Sequence, residues 1–286
     1  MARGARHRWR AAKAKAVPFV EAAIGNLGLA RAVIRDRAFL SAKIAEKHAT
    51  ESKLADFHAG FALFLQRSEA GGGRLPVRWD DRHPCLDDRS PQTPFDRHYL
   101  YHPAWAARIL ARTRPDRHVD ISSTVNFSAI VSAFVPVDFF DFRPAPIFLD
   151  NLNSRSANLL ELPFADNSVH SLSCMHVLEH VGLGRYGEPI DPDGDLKSIR
   201  ELVRVLAPGG NLLVATPVGT PRVAFNAHRV YDFAAFRRYF EPLELVEFAL
   251  IREIGEEGLI MNPPEEVVRA ESYGCGCYWF RKRASS

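Results

Sequence analysis

His176, Glu179 and His180 stand in the order H-x-x-E-H. On a helix that spacing sets both imidazoles on one face, where they could hold zinc. The surroundings oppose such chemistry: the segment follows an apolar run directly and soon meets Gly182 and Gly184, which leaves room for about one helical turn. No metal is therefore expected. Residues 182–194 form a polar, glycine-rich stretch carrying Arg185, Tyr186, Glu188 and Asp191, long enough to act as a lid or substrate loop. Asp191, Asp193 and Asp195 lack the D-x-D-x-D-G order of a calcium loop, and Asp193 or Asp195 suits the cap of the next helix instead. Residues 225–231 bring in His228 and Arg229. His228 and His176 are the candidate general bases, because imidazole titrates near working pH. Arg185, Tyr186, Asp191 and Arg229 are the candidate contacts to an acceptor.

A second set of residues could hold a nucleoside. Asp120 closes a short apolar run and leads into Ser122-Ser123-Thr124, and Asp141 closes another about 20 residues later. At that distance a carboxylate in a doubly wound sheet accepts hydrogen bonds from ribose hydroxyls. Asp138 is the other candidate, but it lies inside its strand. The turn after Asp120 contains no glycine. A side chain held at positive φ there costs roughly 1–2 kcal/mol, so the turn is either strained or differently shaped. Its hydroxyls could bind a ligand carboxylate, or the turn could bind nothing.

These residues need strands and helices to position them. The sequence predicts strands at 118–121, 137–142, 169–174, 211–215, 243–250 and 273–280, and helices at 125–135, 195–206 and 232–240. A further helix is expected from His102, with Pro103 in its first turn. The third strand is ambiguous between 146–149 and 157–160, with a polar stretch, 151–156, between them. Strands alternating with helices imply an α/β fold with a doubly wound, mostly parallel sheet.

Within this frame, NLLELPFADNSVHSLSCMHVLEHV and GDLKSIRELVRVLAPGGNLLVATP resemble the second half of a class I S-adenosylmethionine-dependent methyltransferase, where L-P-F-x-D-x-S precedes the fourth strand and L-x-P-G-G the fifth. The wider pattern over about residues 95–286 is similar to a methyltransferase-like family found in bacteria and nematodes. The resemblance implies a seven-stranded sheet closed by an antiparallel strand, and S-adenosylmethionine as methyl donor. It implies Asp120 at the donor's methionine end, Ser122 where the first glycine is usual, and Met175 and His176 at the methyl end. Asn158 falls where the family has an Asp reading the adenine amino group, with Leu159 as an apolar wall; the other reading of Asn158 is a loop residue capping its own backbone. The implied activity is methyl transfer to a small-molecule or carbohydrate acceptor. The alternative is a catalytically degenerate binding or scaffold protein of the same fold. A nicotinamide dehydrogenase is excluded by the lack of G-x-G-x-x-G.

At 286 residues the chain can carry such a domain and an appendage. Residues 1–95 read as a basic arm, a helical extension over 15–70 stopped by Gly71-Gly72-Gly73, and a proline-rich connector; residues 96–286 read as the methyltransferase-like domain. The net charge of +3 becomes −3 when the six basic residues of positions 1–20 are set aside. The arm reads first as the solvated basic start of a helix; a nucleic-acid or membrane-surface contact and a transit peptide are the other readings. Leu54, Phe57, Phe61, Phe64 and Leu65 form an apolar stripe suited to packing or homo-oligomerisation. No apolar run could span a bilayer. The arm lacks the apolar core of a secretory signal, and Cys85, Cys174, Cys275 and Cys277 lack zinc spacing. Reduced thiols in a cytoplasm are thus expected.

Overall fold

The chain divides between Pro94 and Phe95 into two compact units. The computed structural model describes residues 37 and 39–284; the basic arm and the start of the expected helical extension lie outside them. In the first unit a helix, α1, covers residues 39–70 and ends at the three glycines. Gly72 and Gly73 take positive φ and Gly73 N–H returns to Ser68 O at 2.8 Å, a glycine-capped stop. Trp79 of the connector sets its ring 4.9 Å from that of Phe61, edge to face, so part of the apolar stripe is covered by its own chain. Leu54 and Phe64 remain exposed.

In the second unit, α2 (Arg97–Thr113) starts earlier than the sequence suggests. Asp96 caps it by accepting Tyr99 N–H, and Pro103 sits inside the helix, where burial of Trp105, Ala106, Ile109 and Leu110 on the same helix offsets its cost. There follow β1 (His118–Ile121), α3 (Val125–Val131), β2 (Val137–Asp141), β3 (Leu152–Ser156), β4 (Val169–Met175) and α4 (Gly194–Val205). Next come β5 (Leu206–Val218), a hairpin of β6 (Arg222–Ala224) and β7 (His228–Val230), and α5 (Phe233–Tyr239). The chain closes with β8 (Glu244–Ile251), β9 (Ile260–Met261), α6 (Glu265–Arg269) and β10 (Gly274–Arg281).

The main sheet has the order β3-β2-β1-β4-β5-β10-β8-β9. Neighbours from β3 to β5 are parallel; β10 runs antiparallel between β5 and β8. The fold is α/β and doubly wound, as the alternation predicts, with eight strands rather than seven because the two-residue β9 joins the edge. The closing strands do have a short helix between them, α6. The third strand is the polar stretch itself: β3 is an edge strand on which only Leu152 is buried, so it carries no apolar signature. The Pro208-Gly209-Gly210 turn belongs to β5 as a register shift against β4; Gly209 takes φ +76° and donates to Lys282 O.

Both faces of the sheet are covered. Leu212, Val214, Tyr278 and Phe280 pack against Ile199, Leu202, Phe236 and Phe240 on one side. Leu213, Ala215, Cys277 and Trp279 pack with Trp105, Ile109, Phe127 and Val131 on the other. Alternate residues of one strand thus feed two cores, which explains its nearly unbroken apolar composition.

One polar chain crosses this second core. Asp120, fully buried, accepts from Ser128 Oγ at 2.6 Å and from Ser173 Oγ. Ser173 is also bonded to His118 Nε2 at 2.9 Å, and His118 Nδ1 to Ser171 Oγ at 2.8 Å. Because Ser173 gives its only proton to the carboxylate, it accepts from Nε2–H, and Nδ1 accepts from Ser171. Burial raises the Asp120 pKa to about 6, and the serine hydroxyls oppose it. Burial lowers that of His118 to about 3.

The Asp120 shift makes stability depend on pH. The folded state binds a proton more tightly than the unfolded chain, whose carboxyl titrates near 3.8. The Asp120 contribution is therefore intact below that value and is lost as pH rises through about 6. The stability of Asp120→Asn relative to wild type should grow by up to about 3 kcal/mol between pH 4 and pH 7.5 in urea unfolding. A difference that does not change with pH would contradict the assignment.

Candidate functional site

Two residues with side chains take left-handed backbone conformations where the strands end. Ser122 has φ +55° after β1, and His176 has φ +55° after β4. Each first makes one more rung of the sheet: Ser122 N–H bonds Phe140 O, and His176 N–H bonds Ala215 O, both at 2.7 Å. The chain then turns away. Such conformations cost roughly 1–2 kcal/mol each and persist only where surrounding contacts hold them.

Between these tips lies a cavity of about 510 Å³, within the range of small-molecule sites. Its donor-side wall, as the sequence reading has it, includes Ser122, Asp141, Asn158, Leu159, Met175 and His176, which the fold brings together from four separate segments. The other wall carries Arg185, Tyr186 and His228. Asp141 ends β2 and accepts Arg143 N–H through one oxygen at 2.7 Å. Ser122 Oγ donates to Phe140 O at 3.2 Å, while Ser123 Oγ accepts Met175 N–H at 3.1 Å and ties the two turns together. Asn158 Oδ1 accepts Leu160 N–H at 3.0 Å, a local turn that leaves its amide NH₂ group as the donor available to the cavity.

Four expectations need correction. Asp120 does not line the cavity, because its carboxylate faces α3 and is engaged by Ser128 and Ser173. Arg229 is buried: it donates to Val181 O at 2.7 Å and Pro192 O at 3.1 Å, and pairs with buried Asp195 at 3.5 Å. It clamps the turn after β4 to α4 and does not reach the cavity. Asp191 points away, paired with Lys197 Nζ at 2.5 Å. The Asp193 side chain makes no capping bond to α4, and Asp195 serves Arg229 and the Tyr231 hydroxyl, which donates to it at 2.8 Å.

His176 is also unsuited to act as a free base. Its Nδ1 lies 2.8 Å from Glu179 Oε1 and its Nε2 3.3 Å from Cys275 Sγ. Burial opposes its charge, but the Glu179 carboxylate beside it draws its pKa above the usual imidazole range. Burial and the adjacent Cys277 hold the Cys275 thiol protonated, so Glu179 is the counter-charge. The H-x-x-E-H segment forms a 3-10 turn, Leu178–His180, rather than an α-helix. His180 turns Nδ1–H onto Ala227 O at 2.6 Å, so the two histidines do not share a helical face. His228 is half-buried; burial and His180 lower its pKa, leaving a neutral imidazole at the cavity wall.

The loop after β4 is organised. Glu188 accepts Gly184 N–H at 2.9 Å and Tyr186 N–H at 2.8 Å, and Arg185 donates to Ala227 O at 3.1 Å. Arg143 lies over the Tyr186 ring, 4.5 Å from its centre, and so links the β2 side of the cleft to the loop. Gly182 at φ +82° lies against the Asp191 carbonyl, where a Cβ would collide. Sequence reasoning missed His98, Tyr99 and Tyr273, which also line the cavity. Burial raises the Tyr99 pKa to about 12, so its hydroxyl stays a donor. Only the paired histidines one helical turn apart, His98 and His102, could have drawn attention to α2.

A family model described as "Caenorhabditis protein of unknown function, DUF268" matches residues 164–249. No curated protein matches the chain. Among solved structures, the chain is similar to N-methyltransferase NodS from Bradyrhizobium japonicum in complex with S-adenosyl-L-homocysteine, with 17% identity over 70% of this chain and 91% of that one and a TM-score of 0.45. It is also similar to a Haloferax volcanii protein provisionally described as a methyltransferase, in complex with the Trm112 activator: 19% identity, 67% and 92% coverage, TM-score 0.45. A third likeness is to the [4+2]-cyclase SpnF, with 13% identity, 64% and 82% coverage and a TM-score of 0.44. Strand order and register define the class: a doubly wound, Rossmann-like α/β fold with a mostly parallel sheet.

The clamp gives a direct test. Arg229→Met leaves Asp195 buried without its counter-charge and should cost about 3 kcal/mol of stability. Asp191→Asn, at a solvent-screened pair, should change stability far less. Urea unfolding of both variants checks the contrast.

Proposed function

We propose that the cavity binds S-adenosylmethionine and that the protein transfers its methyl group to a small-molecule or carbohydrate acceptor. The observation that carries this reading is the cleft itself. A carboxylate at the end of β2, an apolar wall and a left-handed turn after β1 meet on one side, and a neutral histidine and a polar loop stand opposite. The absence of glycine after β1 favours the degenerate alternative only if it changes the turn. Ser122 keeps the left-handed shape without glycine, which supports a working donor site.

The residues present fit the donor. Asp141 has one carboxylate oxygen engaged by a backbone N–H and the other available to ribose hydroxyls. Leu159 offers a flat apolar contact for a purine, and Asn158 a free amide donor. Met175 and His176 form the floor under the β4 tip. When bound, S-adenosylmethionine supplies a methyl group already activated on a sulfonium. The protein's task is then chiefly to hold two reactants in line, an effect that can account for about 7–11 kcal/mol of a barrier. His228 accepts the acceptor's proton as a neutral imidazole, and Arg185 and Tyr186 orient the acceptor.

S-Adenosylmethionine or S-adenosylhomocysteine at millimolar concentration should raise the melting temperature by several degrees. A shift with NADH alone would sink the reading. By calorimetry, Asp141→Ala should weaken donor binding at least about tenfold, or about 1.4 kcal/mol; unchanged affinity would remove Asp141 from the site. In a screen of acceptor extracts with labelled donor, His228→Ala should lower methyl incorporation while leaving donor affinity unchanged. Undiminished incorporation would rule out its role as base.

A further inference from the structure

At one end of the cavity lining, three elements bring together side chains of which the proposed methyl transfer uses only His176, as part of the floor. His98 and His102 lie one turn apart on α2, His176 follows β4, and Cys275 lies on β10. His98, His176 and Cys275 each offer a nitrogen or sulfur ligand atom, and these atoms all lie within 4.8 Å of one another. The His98 and His176 rings are stacked with centroids 5.6 Å apart, and the His102 ring is 4.9 Å from that of His176.

Two buried atoms of this cluster lack partners. His102 Nδ1 bonds His98 O at 2.6 Å, but its Nε2 meets nothing; Glu179 holds His176 through Oε1, but its Oε2 is unpaired. Unsatisfied buried groups of this kind cost about 1–3 kcal/mol each. A positive charge carrying a bound water would relieve both, one electrostatically and one by a hydrogen bond.

We propose that His98, His176 and Cys275 bind a zinc-class divalent cation, with a fourth coordination position open to the cavity that His98 and His176 line. The donor set decides the class of ion: two imidazoles and a thiolate suit zinc and its neighbours, and not magnesium or calcium, which take oxygen ligands. Three protein ligands with an open fourth position match reactive rather than structural zinc sites. The Glu179–His176 contact has the form expected of a carboxylate orienting a ligating imidazole: Nδ1–H faces Oε1 while Nε2 faces the sulfur and the ion. Binding displaces the Cys275 thiol proton and any proton on His176 Nε2 to solvent. Cys277 lies 4.0 Å from Cys275, sulfur to sulfur, and is not part of the set. This site shares His176 and Glu179 with the H-x-x-E-H segment but takes no ligand from His180, and it does not require that the donor reading be correct.

The test uses the full chain, stripped by chelator under a non-thiol reductant and titrated with Co²⁺. One equivalent should produce a near-ultraviolet thiolate-to-cobalt band and intense visible bands of a tetrahedral site. Cys275→Ser should abolish the near-ultraviolet band, and Cys277→Ser should keep it. His98 lies at the cavity wall, so His98→Ala provides a second variant should Cys275→Ser fail to fold; it should weaken Zn²⁺ binding at least about tenfold in competition with a chromogenic chelator. Absence of a cobalt band in the wild-type protein, a band undiminished in folded Cys275→Ser, or unchanged Zn²⁺ affinity in His98→Ala would each overturn the proposal.

Discussion

The cleft depends on two strand tips that turn the wrong way for ordinary residues. Ser122 and His176 complete the sheet with one last backbone hydrogen bond and then adopt left-handed conformations. Strain of roughly 1–2 kcal/mol at each must be offset by local contacts. Ser122 is anchored to Phe140, Ser123 ties the first turn to Met175, and His176 is held between Glu179 and Cys275. These bonds fix the ends of β1 and β4 to each other and to β2 and β10.

The rest of the domain stabilises that opening. The buried chain from Ser171 through His118 and Ser173 to Asp120 and Ser128 joins β1, β4 and α3 just below the first tip. The Arg229–Asp195 clamp does the same above α4, fixing the turn that carries Glu179. Charged groups chosen from sequence as ligand contacts thus act one layer back, as supports for those that face the cavity. A buried ion pair is a weak source of stability but a strong constraint on geometry once its carbonyl partners are included.

The fold was legible where periodicity and punctuation agree. The apolar runs of β1, β2 and β4, the Pro-Gly-Gly shift and the helical stripe of α4 all announce themselves, and they bring Asp141, Leu159, Met175 and His176 to one sheet edge. The edge strand β3 was not legible, because a strand with one buried residue has no alternation to read. Nor was the start of α2, where tertiary packing of Trp105, Ile109 and Leu110 carries the helix through an internal proline. Arg229 and Asp191 were misassigned because sequence shows charge and not burial: one is inside and one faces solvent. His98, Tyr99 and Tyr273 escaped because they reach the site from elements far from the motifs.

The most direct test of the account is a crystal structure of the protein soaked with S-adenosylhomocysteine. The account predicts density for the nucleoside across the tips of β1, β2 and β4, with the ribose hydroxyls on Asp141 and the purine against Leu159. Density elsewhere, or a nucleoside that leaves Asp141 bonded only to Arg143, would contradict it.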